Sequence, residues 1–145
     1  MASQTFVMPP DPERSTTERS TPCPCGRGVP FGRCCGPLVG RVREAATAEQ
    51  LMRSRYTAFV LRDAEYLVHS WLPAVRPRRV TFAPDQEWTG LVVVATEAGG
   101  LLDATGIVEF VAHHRRDGVD GELHERSAFV RHDGRWVYAG ADAAV

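Results

Sequence analysis

Gly106-Ile107-Val108-Glu109-Phe110-Val111-Ala112-His113-His114-Arg115 alternates along its length, and so does Leu123-His124-Glu125-Arg126-Ser127-Ala128-Phe129-Val130. In the first run Val108, Phe110 and Ala112 share one side, opposite Ile107, Glu109, Val111 and His113. In the second, Leu123, Glu125, Ser127 and Phe129 oppose His124, Arg126, Ala128 and Val130. A period of two belongs to a strand with one face on a core. Asp117-Gly118 and Asp120-Gly121 lie between the runs and carry the residue types of a hairpin turn. Further on, Asp133-Gly134 turns the chain into Trp136-Val137-Tyr138. Ahead of both runs, Leu91-Val92-Val93-Val94-Ala95 is branched enough for a buried strand, and Gly99-Gly100 closes it with a turn. These segments predict an antiparallel meander of four strands.

Upstream of Trp88 the period is helical. Thr47 and Gln50 have the spacing of a capping box, and Leu51, Met52, Tyr56, Phe59 and Val60 follow it on a helical stripe. Asp63 caps a second helix whose stripe is Ala64, Leu67, Val68, Trp71 and Leu72, with Pro73 as its stop. Glu65 and His69 are spaced as a pair on a solvated helix face. Residues 73–86 read as a loop with Arg76, Arg78 and Arg79 and a short strand at Val80-Thr81-Phe82. Two helices followed by a meander predict an α+β fold, with helices packed on a curved antiparallel sheet.

All four cysteines fall within Cys23-Pro24-Cys25-Gly26-Arg27-Gly28-Val29-Pro30-Phe31-Gly32-Arg33-Cys34-Cys35. Two close pairs across a Gly/Pro-rich loop is the layout of a four-thiolate zinc site. Gly26, Gly28 and Gly32 are expected to supply positive-φ turns. Two disulfides, a redox pair and an iron–sulfur cluster also use cysteines. The redox motif has two residues between its cysteines, whereas here there is one or none. Spacing alone does not separate zinc from iron. Val29, Phe31 and Leu38 are among the few sizeable apolar side chains near the cysteines, so this segment should depend on its metal to fold. Arg27, Arg33, Arg41 and Arg43 surround it, either as a patch for a partner or to offset the charge of four thiolates on a divalent ion.

Pro22-Cys23-Pro24-Cys25-Gly26-Arg27-Gly28 followed by Arg33-Cys34-Cys35-Gly36 resembles the SEC-C motif, the zinc-binding module at the C-terminus of the SecA translocation ATPase. Arg27 stands where that motif usually has Ser, and Val29-Pro30-Phe31-Gly32 replaces most of its basic loop. Downstream, Thr47-Ala48-Glu49-Gln50-Leu51-Met52-Arg53-Ser54-Arg55-Tyr56-Thr57-Ala58-Phe59-Val60, Val108-Glu109-Phe110-Val111-Ala112 and Leu123-His124-Glu125-Arg126-Ser127-Ala128-Phe129-Val130 are similar to the YchJ-like family of uncharacterised bacterial proteins. The polar, Pro-rich composition of residues 1–21 predicts a flexible leader, and the resemblance implies a SEC-C module over 22–40 and a cone-shaped domain similar to nuclear transport factor 2 over 41–145. Relatives of the cone fold pair through the sheet, which implies a homodimer as one assembly.

The chain has 145 residues and a formal net charge of −1, with every one of its 17 basic residues an Arg. That charge gives no reason to expect nucleic acid as a partner. No apolar run approaches a membrane span, and the N-terminus lacks the basic start and apolar run of a secretory signal. Reduced cysteines and no signal predict the cytoplasm. The pocket candidates are Glu109, His124, Glu125 and Arg126, polar residues in mid-strand where a carboxylate on the concave side can act as general base. Arg53 or Arg55 is expected to pair with Glu109 or Glu125 and tie the first helix to the sheet. The residues supply no complete nucleophile–base–orienter set, so catalysis is not the expectation. The functional expectation is a zinc-binding adaptor for a protein partner, by resemblance one in translocation, a chaperone or a ribosome-associated component. A small-molecule binder or enzyme using the cone pocket is the alternative.

Overall fold

The computed structural model describes residues 20–142, so the leader expected over 1–21 lies outside the described residues except for Ser20 and Thr21. In chain order, a 3-10 turn at Phe31–Arg33 leads into α1 (Gly36–Val39), α2 (Ala48–Leu61) and α3 (Ala64–His69). Four strands follow: β1 (Gln86–Ala98), β2 (Thr105–Arg116), β3 (Val119–His132) and β4 (Arg135–Ala141). They form one antiparallel sheet in the order β1-β2-β3-β4. The protein is α+β, a few helices on a curved sheet with the cysteine segment at its N-terminal end.

The β2–β3 register runs without a shift from Thr105 opposite Val130 to Arg116 opposite Val119. Asp117-Gly118 alone makes the turn, with φ of 51° and 77°. Two residues with positive φ suffice for a twist-matched hairpin. Asp120 and Gly121 are therefore not part of the turn; they lie in β3 opposite Arg115 and His114. Register shifts between Trp88 and Gly90, between Val93 and Ala95, and between Ala128 and Phe129 bend the sheet. The inner face carries Val108, Phe110, Ala112, Ser127 and Phe129, all buried.

Thr47 caps α2 by accepting from the Gln50 amide at 3.1 Å. The Gln50 side chain accepts from the Ala46 amide at 3.0 Å, one residue before its partner in a standard capping box. Thr47→Ala is expected to cost about 1 kcal/mol, measured as a shift of the urea midpoint at constant slope. Asp63 caps α3 through the Tyr66 amide at 2.9 Å.

α3 stops earlier than Pro73 suggests. It ends at His69, because the next residues join the sheet edge. The Tyr138 amide donates to the Ser70 carbonyl, and the Leu72 amide to the Tyr138 carbonyl, each at 2.8 Å. Val80-Thr81-Phe82 is not a strand. Phe82 instead sets its ring edge-on to Phe59, with centroids 6.1 Å apart. Arg62, left-handed at the end of α2, holds the rest of this connection through the carbonyls of Ala83, Pro84 and Gln86.

Eight residues of α2 are buried: Ala48, Leu51, Met52, Ser54, Arg55, Tyr56, Thr57 and Ala58. They do not fall on one stripe, since α2 is enclosed by the sheet, by α3 and by the cysteine segment. One apolar cluster joins the four cysteines and Leu38 to Leu51, Met52, Tyr56, Leu91 and Trp136. The core thus runs through the boundary expected at residue 40.

Candidate metal centre and cone cavity

Pro22 and Pro30 bridge the two arms of the cysteine loop, and the Cys23 amide donates to the Val29 carbonyl at 3.0 Å. Gly26 and Gly28 have φ of 77° and 85°, the left-handed values a side chain disfavours. Gly32 does not share them; it sits in the 3-10 turn. This folding brings the four sulfurs within 4.8 Å of one another, all buried. Cys25 and Cys34 are 3.6 Å apart, Cys34 and Cys35 4.0 Å. Thiolates at about 2.3 Å from a tetrahedral ion stand about 3.8 Å apart, so the cluster fits a four-sulfur site. All four are free thiols.

Burial pushes the Cys34 thiol up to about 11, and hydrogen bonding and charge from Cys25 add to the rise. Cys35 is raised first by its hydrogen bonds with Cys23 and Cys25, then by burial. Cys23 is lowered by hydrogen bonds from Cys25 and Cys35. A metal ion held there would displace the thiol protons.

α2 positions the cluster. Arg53 donates from Nη1 to the Cys25 carbonyl at 2.9 Å and is held from behind by Glu49, also at 2.9 Å. Thr57 Oγ1 lies 3.7 Å from Cys23 Sγ. Arg27, Arg43 and Arg53 line a small recess with Cys34 and Cys35. Arg41 points elsewhere, donating to the Glu65 carbonyl.

A cavity of about 160 Å³ lies between α2, the segment after α3 and the concave face of the sheet. Its walls are mostly aromatic, among them Phe59, Trp88, Phe110 and Phe129. Polar groups come from Arg55, Glu125, Ser127 and Tyr138. Glu125 Oε2 accepts from Ser127 Oγ at 2.5 Å and from Tyr138 Oη at 3.0 Å. Burial, then the charge of Glu125, pushes the Tyr138 hydroxyl up to about 12, so it keeps its proton and donates. Arg55 Cζ lies over the rings of Trp71 and Tyr138, at 4.6 and 4.4 Å from their centroids.

Of the four pocket candidates, the structure brings only Glu125 to the cavity. Glu109, His124 and Arg126 are on the outer face, because in β2 and β3 they alternate with the residues that face inward. Glu109 sits opposite Arg126 in the register, while Phe110 sits opposite Glu125. His124 Nε2 is 2.7 Å from Glu109 Oε2, and Arg126 reaches Glu97, Glu109 and Asp142 at 3.2–3.7 Å. These are ion pairs of an outward face, screened by solvent and weak. Neither Arg53 nor Arg55 forms the expected ion pair with Glu109 or Glu125 among the described residues; Arg53 goes to the cysteine loop and Arg55 to two aromatic rings. His69 turns to Glu44 and Arg135 rather than to Glu65.

Trp71 and Tyr138 were not among the candidates, and Arg55 was expected only as an anchor. Arg55 had a signal. It lies three residues after Met52 and four before Phe59, on the buried face of the helix. An arginine at such a position either has an unusual partner or lines a cavity.

The same architecture recurs in known proteins. Residues 47–141 match the family described as YchJ, middle NTF2-like domain, and residues 19–37 match the SEC-C motif. A UPF0225 protein of Streptomyces coelicolor is 49% identical over 121 residues, covering 83% of this chain and 94% of that protein. A UPF0225 protein of Corynebacterium efficiens is 46% identical, covering 84% and 93%. The solution structure of a SEC-C motif containing protein from Rhodopseudomonas palustris superposes with a TM-score of 0.73 at 36% identity, covering 86% of this chain and 100% of that one. A crystal structure of a SEC-C motif containing protein from Psychrobacter arcticus gives a TM-score of 0.69 at 29% identity, covering 89% and 85%. This chain belongs to the YchJ (UPF0225) family, a SEC-C motif joined to an NTF2-like domain.

Proposed function

We propose that this protein is a small-molecule binding protein whose cone domain carries the ligand and whose N-terminal module is held to it by zinc. The observation that carries the reading is the cavity: apolar walls with a few convergent polar groups, between sheet and helices. Zinc is the ion assigned to Cys23, Cys25, Cys34 and Cys35, since four soft sulfurs at tetrahedral spacing suit it and the site has no open position for chemistry. The ion would supply rigidity: it fixes the loop against α2, whose other face lines the cavity. Unpaired thiols support placement in the cytoplasm, and no helix among the described residues is long and apolar enough to cross a membrane.

The reading is tested by a fragment library screened with ligand-observed NMR against the wild type and Ala112→Leu. Ala112 is buried and lines the cavity, so added carbons take up ligand space. Ring-sized fragments are expected to bind the wild type and to lose about ten-fold or more in the variant. Fragment binding indifferent to Ala112→Leu, or none at all, would contradict the reading.

The adaptor reading has an observation of its own. Arg27, Arg33 and Arg43 are exposed around buried ligands, which leaves a cationic surface on the module. It requires an acidic protein partner whose capture from a lysate disappears with Cys34→Ser. Capture unchanged by that substitution would sink the zinc-dependent form.

A further inference from the structure

Arg55 is only 6% exposed and makes no ion pair among the described residues. Its Nη1 donates to the Leu67 carbonyl at 3.1 Å and to Ser70 Oγ at 2.6 Å, which uses both hydrogens of that nitrogen. Nε and Nη2 have no hydrogen-bond partner among the described residues. The only fully buried side-chain nitrogen or oxygen there without a partner is Nδ1 of His114. The free N–H groups of Arg55 are therefore reached by solvent, through the cavity that Arg55 lines. A buried guanidinium is destabilising unless it is paired. The faces of Trp71 and Tyr138 offset part of that. The Nε/Nη2 edge is the fork that accepts a planar carboxylate through two parallel bonds.

The rest of the cavity restricts what can carry such a group. A volume of about 160 Å³ is near the ~150 Å³ of an apolar cavity that takes benzene. Phe59, Trp88, Phe110 and Phe129 present ring faces and edges to it. At the polar end, Glu125 Oε2 is occupied by Ser127 and Tyr138, while Oε1 has no hydrogen-bond partner among the described residues. That oxygen accepts from a donor and repels a second anion.

We propose that the cavity binds a monocyclic aromatic carboxylate, its carboxylate on the Nε/Nη2 edge of Arg55 and its ring among the aromatic walls. A hydroxyl or amine on the ring would satisfy Glu125 Oε1. The inference rests on the small-molecule reading above and narrows it to a ligand class. Arg55 and Glu125 act as recognition groups, one selecting the acid and the other selecting against further negative charge.

The test is calorimetric titration of the full, metal-loaded chain with three probes of one size: benzoate, benzyl alcohol and benzylamine. Benzoate is expected to bind at least about ten-fold more tightly than benzyl alcohol, with benzylamine weaker still. Arg55→Met should abolish the preference for benzoate, and Arg55→Lys should keep part of it. If Arg55→Met does not fold, the charge series on the wild type decides alone. Equal affinity for benzoate and benzyl alcohol, or preference for benzylamine, overturns the carboxylate assignment and leaves the small-molecule reading standing. No binding by any of the three, together with a fragment screen that finds nothing, overturns both.

Discussion

Cys25→Ser is expected to release the metal and to destabilise the protein by on the order of 3 kcal/mol or more, seen as a fall of the thermal midpoint that added zinc does not restore. Cys25 is completely buried, and its carbonyl is the point where Arg53 grips the loop. The loop has little else to hold it: a Pro22–Pro30 bridge, a few turn hydrogen bonds, and contacts of Val29 and Phe31 with the cluster. Loss of the ion also exposes the flank of α2 at Thr57 and Leu51, so the damage should reach the cone domain. A chelator strong enough to remove the ion from the wild type should reproduce the effect. Arg27→Ala, an exposed change in the same loop, should leave the stability within about 0.5 kcal/mol of wild type. A Cys25→Ser protein with the wild-type midpoint would show that the cluster is not holding the fold.

Trp136→Ala should cost about 3–5 kcal/mol, the range for deleting a large buried aromatic. Trp136 is 1% exposed at the start of β4. Its indole Nε1 donates to the Ala46 carbonyl at 3.2 Å, fixing the residues that lead into α2. Arg131 lies over its ring at 4.5 Å. The substitution leaves a void, frees a carbonyl and removes a cation–π contact together. Denaturant unfolding monitored by far-ultraviolet circular dichroism measures it. Trp136→Phe, which keeps most of the volume and loses the hydrogen bond, should fall well short of that cost.

The strand runs were legible because each carries its face in its own alternation. Val108, Phe110 and Ala112 are buried and Glu109 is not, as a period of two requires. The helix caps at Thr47 and Asp63 were legible because capping is local. Proximity of the four cysteines followed from spacing across a short loop. What was not legible depends on contacts between distant segments. Ser54 and Thr57 look like the polar face of α2, yet they are buried because α3 and the cysteine loop cover that side. Trp71 and Leu72 continue the stripe of α3 in sequence, but pairing with Tyr138 takes them into an extended segment before Pro73. The polar residues of β3 were recognisable as unusual. Sorting Glu125 from His124 and Arg126 needed only the alternation; seeing that Glu125 meets Ser127 and Tyr138 beside Arg55 needed the fold.

The most direct measurement is the metal content of the full chain, purified without a metal-affinity tag, by plasma mass spectrometry alongside thiol titration of the native protein. The account predicts about one zinc per chain and no titratable thiol until a chelator is added. Four freely titrating thiols with no metal, iron in place of zinc, or two disulfides would contradict it.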